Sequence, residues 1–245
     1  MTTTKSIGTA VFLCLLGLGA AMSLSAGEKP AKGKTMTAVF VVVDGVYNTE
    51  LTAPYDILQH TVYHSPAHYF RCVLVSPDGK PVTSAEGMRI EVDYSFANCP
   101  APDVLIIPST EHSMSRDLED GPYMRWVRKQ VPAAKVVMTL CDGAFPLAHT
   151  GALKGKNATT YPGDQAKFAE SYPDITVHRE VWFVQHDKFI TSVGGAKSFE
   201  PALYLAHRWF GEKAARGLAR GLVIDWDLTK IPHKSFGTLP AKPKQ

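Results

Sequence analysis

Three runs in this chain have an apolar core with no polar alternation: TAVFVVV at 37–43, DVLIIPS at 103–109 and KVVMTL at 135–140. A strand with one wet face alternates polar and apolar residues. A run of valine, isoleucine and leucine with no alternation is a strand buried on both faces. Such strands need helices on either side of their sheet, and the intervening sequence supplies them. ELTAPYDILQHTVYH (50–64) places Leu51, Tyr55, Ile57 and Leu58 at helical spacing. PYMRWVRKQV begins with Pro122, suited to a first helical turn. SFEPALYLAHRWFG reads as a C-terminal helix stopped by Gly211. HYFRCVLVS (68–76) adds a strand, PDG a turn, KPVTSAEGMRIEVD a small hairpin, and ITVHREVWFVQHDKFITSVG a set of edge-type strands. Strands alternating with helices predict βαβ units and an α/β fold with a mainly parallel sheet. Function in such sheets gathers at the carboxyl ends of the strands. Here those ends are the loop after Val43, the loop after Pro108 and the turn at Cys141.

With 245 residues, 45% hydrophobic and 20% charged, the chain is long enough to bury one α/β core. A net charge of +3 without a dense basic stripe argues against a nucleic-acid partner. At the N-terminus, Lys5, the apolar IGTAVFLCLLGLGAAM and the small residues of SLSAGE have the layout of a secretory signal peptide over 1–26. The apolar run is short for a membrane span, and Leu13 precedes Cys14 where a lipoprotein signal has a small residue. The expectation is a periplasmic or secreted protein, free of the membrane after cleavage. A flexible leader is expected at 27–36, one domain at 37–230 and a C-terminal tail at 231–245. Export leaves Cys72, Cys99 and Cys141, an odd number with neither a disulfide framework nor metal-finger spacing.

KVVMTL stops at Cys141 and is followed at once by Asp142, Gly143 and a helix-forming segment. This is the layout of a nucleophile elbow. The sharp turn pushes the side chain out of the sheet, and the first free helical amides point at the sulfur or at a developing oxyanion. The helix N-terminus favours a thiolate. Gly143 permits close packing past the turn, and Pro146 fits within the first helical turn. The bland alternative is a core thiol, because cysteine is among the most often buried residues. Thr139 also stands where the G-x-C-x-G pattern has its first glycine.

ELTAPYDIL (50–58), SFANCPAPDVLIIP (95–108), LCDGAFPLAHTGALKGKNATTYP (140–162) and FITSVGGAKSFEPALYLAHRWF (189–210) together resemble the ThiJ/PfpI superfamily over about 37–228. Within it the likeness is to isonitrile hydratases and to the amidase-like domains of AraC-type regulators. The resemblance implies a flavodoxin-like sandwich of the class I glutamine amidotransferase type. It implies Cys141 as nucleophile, Glu50 as the acid beside the sulfur and the Asp142 amide as an oxyanion donor. Glu50 by itself reads as a surface acid at a helix start, where the dipole favours negative charge. The resemblance further implies a packed structural role for Cys99 and a homodimer; a small-molecule substrate is expected, with no cofactor and no metal.

The departures from the family pattern fall on the rim of the site. Ser109 and Thr110 replace a Gly-Gly pair and either narrow the pocket or add hydroxyl donors. Asp142 replaces a threonine, and its charge opposes thiolate formation. Tyr161 replaces a histidine, which removes the base of a Cys-His pair from its usual place; a tyrosine there donates hydrogen bonds. His112 is a candidate to supply that base, against the ordinary reading of a solvated loop residue. His60, His64 and His68 are spaced four apart, but Ser65-Pro66 breaks the helix and no carboxylate completes a metal set. Trp182, Phe183, Trp209 and Trp226 read as core or interface aromatics, and a Cys72–Cys99 disulfide stays open, with no support from the sequence alone. Two functions remain open: a cysteine-dependent hydrolase, hydratase or lyase, and a non-enzymatic ligand-sensing or redox-responsive thiol module.

Overall fold

The computed structural model describes residues 34–243, so the expected signal peptide and most of the leader lie outside the described residues. The chain runs through β1 (Lys34–Val41), α1 (Asn48–Gln59), α2 (Thr61–His64), β2 (His68–Ser76), β3 (Val82–Thr83), β4 (Arg89–Ile90), β5 (Tyr94–Ser95) and β6 (Val104–Ile107). It continues through α3 (Pro122–Ala133), β7 (Val136–Leu140), α4 (Ala144–His149), β8 (Asn157–Ala158), α5 (Gln165–Ser171) and β9 (Thr176–Val177). The last elements are β10 (Phe183–His186), β11 (Phe189–Ser192), α6 (Phe199–Phe210), α7 (Glu212–Gly221) and β12 (His233–Phe236). Eight strands form the main sheet in the order β12-β10-β11-β7-β6-β1-β2-β5. Every pairing is parallel except the β10–β11 hairpin.

The apolar runs owe their composition to a sheet covered on both sides. Side chains alternate across a strand, and in β1 Ala38 and Phe40 enter one core while Val39 and Val41 enter the other. The β6 strand repeats this with Val104 and Ile106 against Leu105 and Ile107. The first core is closed by Leu51, Ile57 and Leu58 of α1, Leu203 and Leu205 of α6 and Leu218 of α7. The second is closed by Met124 and Val127 of α3, Phe145 and Leu147 of α4 and Phe168 of α5.

Four local expectations are corrected. The first strand starts at Lys34, inside the expected leader, because Lys34–Val41 pair in register with His68–Val75. The strands after residue 175 are not all at an edge. The β11 strand lies between β10 and β7 with all four residues buried. Its polar content looked like a wet face, but those groups bond internally: Ser192 Oγ donates to the Thr139 carbonyl at 3.2 Å, and Thr191 Oγ1 accepts from Thr159 N at 2.9 Å. The helix α6 is not the last, since α7 follows Gly211. Finally, residues 231–245 are not simply a tail. The β12 strand pairs with β10, Ile231 and Leu239 are buried, and Trp209 Nε1 donates to the Pro240 carbonyl at 2.9 Å. Truncation after Lys230 removes two buried aliphatic side chains, about 3 kcal/mol or more of burial. It is therefore expected to lower the thermal midpoint by at least about 5 °C, read by calorimetry.

Candidate active site

The β7 strand delivers Cys141 to the middle of the sheet's carboxyl edge, and the chain turns there into a 3-10 turn (Cys141–Gly143) and then α4. Cys141 has φ 54°, a left-handed conformation unusual for a residue with a side chain. Two glycines make that turn possible. A Cβ on Gly194, at φ 78°, would stand 2.3 Å from the Cys141 Cβ, and one on Gly143 would stand 2.1 Å from the Ile107 carbonyl oxygen. The elbow is thus wedged between the end of β6 and the loop after β11. Pro146 is the third residue of α4, within its first turn.

Around the sulfur the structure gathers acids. Glu50, in the first turn of α1, is buried, and its Oε1 accepts from Gly195 N at 2.8 Å. The Cys141 thiol donates toward Asp142 Oδ2 at 3.8 Å. Asp142 is itself buried, and the Thr160 hydroxyl lies 3.0 Å from both Asp142 Oδ1 and the Cys141 carbonyl oxygen. Burial pushes the Cys141 thiol far above its ordinary value, and the charges of Asp142 and Glu50 add to it. The Asp142 amide and the Ser109 hydroxyl act in the opposite direction and are outweighed. The sulfur therefore rests as a protonated thiol at neutral pH, and the helix terminus does not hold it as a thiolate. Burial also pushes the Asp142 carboxyl up to about 6, with a push from Asp164 and a counter-pull from the Thr160 hydroxyl. Thr160→Val deletes that counter-pull and is expected to move the Asp142 titration upward, as followed by carboxyl-carbon NMR.

The loop after β6 forms the opposite wall. It is pinned to the loop after β1 by Tyr47 N donating to the Ser109 carbonyl at 3.1 Å and Glu111 N to the Gly45 carbonyl at 2.9 Å. The Ser109 hydroxyl is fully buried and has no partner of good hydrogen-bond geometry among the described residues, while standing close enough to the sulfur to favour a thiolate. It is the uncommitted donor of this wall. Thr110 is not: its hydroxyl donates to the Asp117 carboxylate, and its oxygen accepts from His112 N at 3.1 Å.

A model of the DJ-1/PfpI family matches residues 36–207. The chain belongs to that family. It is 32% identical over 122 residues to an isonitrile hydratase of Pseudomonas putida, half of each protein. It is 21% identical over 202 residues to the HTH-type transcriptional regulator GbdR of Pseudomonas aeruginosa, 81% of this chain and 53% of the regulator. The chain spans about half the length of these curated relatives. The crystal structure of Drosophila melanogaster DJ-1beta superimposes with a TM-score of 0.68 at 20% identity, over 79% of this chain and all of that one. The sheet and its helices are the flavodoxin-like DJ-1/PfpI fold, as the sequence resemblance implied.

Within this DJ-1/PfpI domain, Cys141, Glu50, Asp142 and Ser109 converge. Neither the Tyr161 hydroxyl nor the His112 ring makes a hydrogen bond or ion pair with them among the described residues. The Tyr161 side chain is 48% exposed and its ring packs over Gly163. His112 engages its loop through its backbone, and the charged groups bearing on the sulfur are Asp142 and Glu50. No metal-ligating group of three or more His, Cys, Asp or Glu occurs among the described residues, and His60 instead stands 3.3 Å from Asp56. Cys72, Cys99 and Cys141 form no disulfide among the described residues. Thr160, Gly194, Gly195, Asp164 and Tyr47 were missed in the sequence. Tyr47 holds the N-cap position of α1, and its phenol is pushed up by burial and then by the charges of Glu111, Cys141, Glu50 and Asp142. The Gly-Gly pair directly after a strand was the legible signal for the cradle, since glycine there marks a close backbone approach.

Proposed function

We propose that this chain is a cysteine-dependent hydratase, hydrolase or lyase acting on a small electrophilic molecule. The observation that carries it is the left-handed Cys141 at the elbow, seated on Gly194. Strain of this kind collects at functional sites. In the proposed first step the sulfur adds to the electrophilic carbon as its proton passes to Asp142 Oδ2. A carboxylate with a pKa of about 6 is suited to that base role at neutral pH. The Asp142 amide and the uncommitted Ser109 hydroxyl stabilise the negative charge that develops on the substrate. Glu50, fixed by Gly195, orients the substrate or moves a proton beside the sulfur. The isonitrile hydratase relative supports the hydratase branch. The test is a panel of isonitriles, amides and aldehydes assayed with wild type and Cys141→Ala. Turnover on a panel member that vanishes in the variant is expected; undiminished turnover in the variant overturns the assignment.

A second function, a ligand-sensing or redox-responsive thiol module, is favoured by one observation: the resting sulfur is held protonated among acids. The GbdR relative is a regulator, consistent with this branch. Reversible sulfenic acid at Cys141 without turnover on the panel selects it. In either case we place the protein in the periplasm or outside the cell on the strength of residues 1–26, and read it as a homodimer. Edman sequencing of secreted material and light scattering test these two assignments.

A further inference from the structure

The acids around Cys141 are unmatched. Asp142 Oδ2 stands 3.8 Å from the sulfur, and Glu50 accepts from Gly195 N at 2.8 Å, next to the glycine that carries the elbow. Asp164 bears on Asp142, and Glu111 joins Glu50 and Asp142 among the charges felt by the Tyr47 phenol. None of Glu50, Glu111, Asp142 and Asp164 has a lysine, arginine or histidine within ion-pair distance among the described residues. The cations of the adjoining loops are committed elsewhere. Arg116 stands 3.6 Å from Asp117, and the Lys197 ammonium lies over the Trp182 ring, 3.4 Å from its centroid. The chain as a whole carries +3, so the excess of acid belongs to this end of the sheet and not to the protein at large.

The backbone spreads these acids from the surface to the sulfur. Tyr47 N donates to the Ser109 carbonyl at 3.1 Å and Glu111 N to the Gly45 carbonyl at 2.9 Å, which lays the loop after β1 along the loop after β6. The Glu111 side chain covers Gly45, where a Cβ would meet its Oε2 at 3.0 Å. Tyr47 then opens the helix that bears Glu50. Glu111, Gly195 and Ala196 are exposed, whereas Glu50, Asp142 and Cys141 are buried. Buried carboxylates without a cation are costly, and a ligand that brings positive charge removes that cost. A cleft lined by one sign of charge also concentrates molecules of the other.

A second and independent observation marks the place as one for a ligand. Ser109 is 0% exposed, its hydroxyl lacks a partner of good geometry among the described residues, and it borders the sulfur. A buried hydroxyl left in that state is expensive unless something bound takes the bond. As a donor beside a nucleophile, it suits the end of a molecule where electron density builds up. No three of the neighbouring acids stand together as metal ligands, so the complementary charge is an organic one.

We infer that this site selects electrophiles that carry a positive charge, an ammonium or similar organic cation a few bonds from the reacting carbon, and disfavours carboxylates and phosphates. Ser109 and Cys141 take the reacting end, and Glu50 with Glu111 supplies the field for the cationic one. The inference rests on Cys141 as the reacting centre of the proposed function, but it does not require turnover.

Three methanethiosulfonates that share a leaving group and differ in charge test it: trimethylammonioethyl, methyl and sulfonatoethyl. Their rates of reaction with Cys141 are measured on the full chain, with Cys141→Ser subtracted, and each is divided by its rate with free β-mercaptoethanol. The comparison is made on one sulfur, so its thiolate fraction cancels. The cationic reagent is expected to outpace the anionic one by about tenfold or more at low salt. The ratio is expected to shrink toward unity in about 0.5 M sodium chloride. Glu111→Gln and Asp164→Asn preserve shape, and each is expected to lower the ratio about threefold. A ratio near or below unity overturns the inference, as does a ratio untouched by salt and by both substitutions. A sulfur that none of the three reagents reaches at about pH 9, above the ordinary thiol value, overturns it as well. Cation selection without turnover on any panel member removes the enzyme assignment and leaves this one standing; turnover without charge selection does the reverse.

Discussion

Asp142→Asn is expected to make Cys141 more reactive toward iodoacetamide while making the enzyme worse. The carboxylate stands 3.8 Å from the sulfur with both groups buried. Two like charges at that distance repel by about 4 kcal/mol at an effective dielectric of about 20, an upper bound equivalent to about 3 pK units. A thiolate of lower pKa is also a weaker nucleophile, so about half of each unit reaches the rate. The alkylation rate at pH 8 is therefore expected to rise between about threefold and about thirtyfold. Asp142 is raised to about 6, so its charge appears only as the pH passes through that region. Variant and wild type converge below it and diverge above. The same sign governs stability: an acid raised on folding favours the native state while protonated. Wild type therefore loses stability relative to the variant from the unfolded carboxylate range, about pH 4, up to about 6. Turnover on any substrate found in the panel is expected to fall by about a hundredfold or more, the usual worth of a positioned base. Alkylation and turnover that fall together would place Asp142 outside the proton path and make it a packing residue.

Gly194→Ala is expected to be strongly disruptive for a change of one methyl. The added carbon would lie 2.3 Å from the Cys141 Cβ and 2.8 Å from its Cα, against backbone that cannot swing away, at φ 78°. The left-handed conformation costs an alanine about 1 kcal/mol, and overpacking a rigid site adds about 1–3 kcal/mol. A fall in the thermal midpoint of about 5–15 °C is expected. Cys141 labelling in the surviving native protein should change as well, because relief of the clash moves the elbow. Wild-type stability with wild-type labelling would show that the loop after β11 does not support the elbow.

The large features of the domain were legible because burial writes them into composition. A strand covered on both faces cannot carry the polar alternation of a wet one, so β1, β6 and β7 stood out, and with them the carboxyl edge where Cys141 emerges. Glu50 was legible through family resemblance alone; its own surroundings read as an ordinary helix start. What stayed hidden was polar structure satisfied internally. Gln185, Thr191 and Ser192 made β10 and β11 look exposed, yet Gln185 Nε2 donates to the Asp187 carbonyl at 2.7 Å and to the Phe236 carbonyl at 3.0 Å. The β12 strand hid for a different reason: it is an edge strand whose Lys234 and Ser235 are exposed, so its composition reads as a tail. At the site, Tyr161 drew the eye because it stands where relatives have histidine, while its neighbour Thr160 makes the contacts. One position along a strand end reverses which side a residue faces, and no local pattern distinguishes the two.

Glu50 and the amide that holds it are 145 positions apart. During synthesis the helix bearing the acid and the strand bearing the cysteine are both complete well before Gly195 leaves the ribosome. Until that last segment closes against them, the elbow lacks its floor and the carboxylate its anchor. A contact of this range forms late, when loop closure has already been met by the rest of the sheet. The reactive centre therefore matures only with the whole domain, and an unfinished or clipped chain carries an ordinary cysteine.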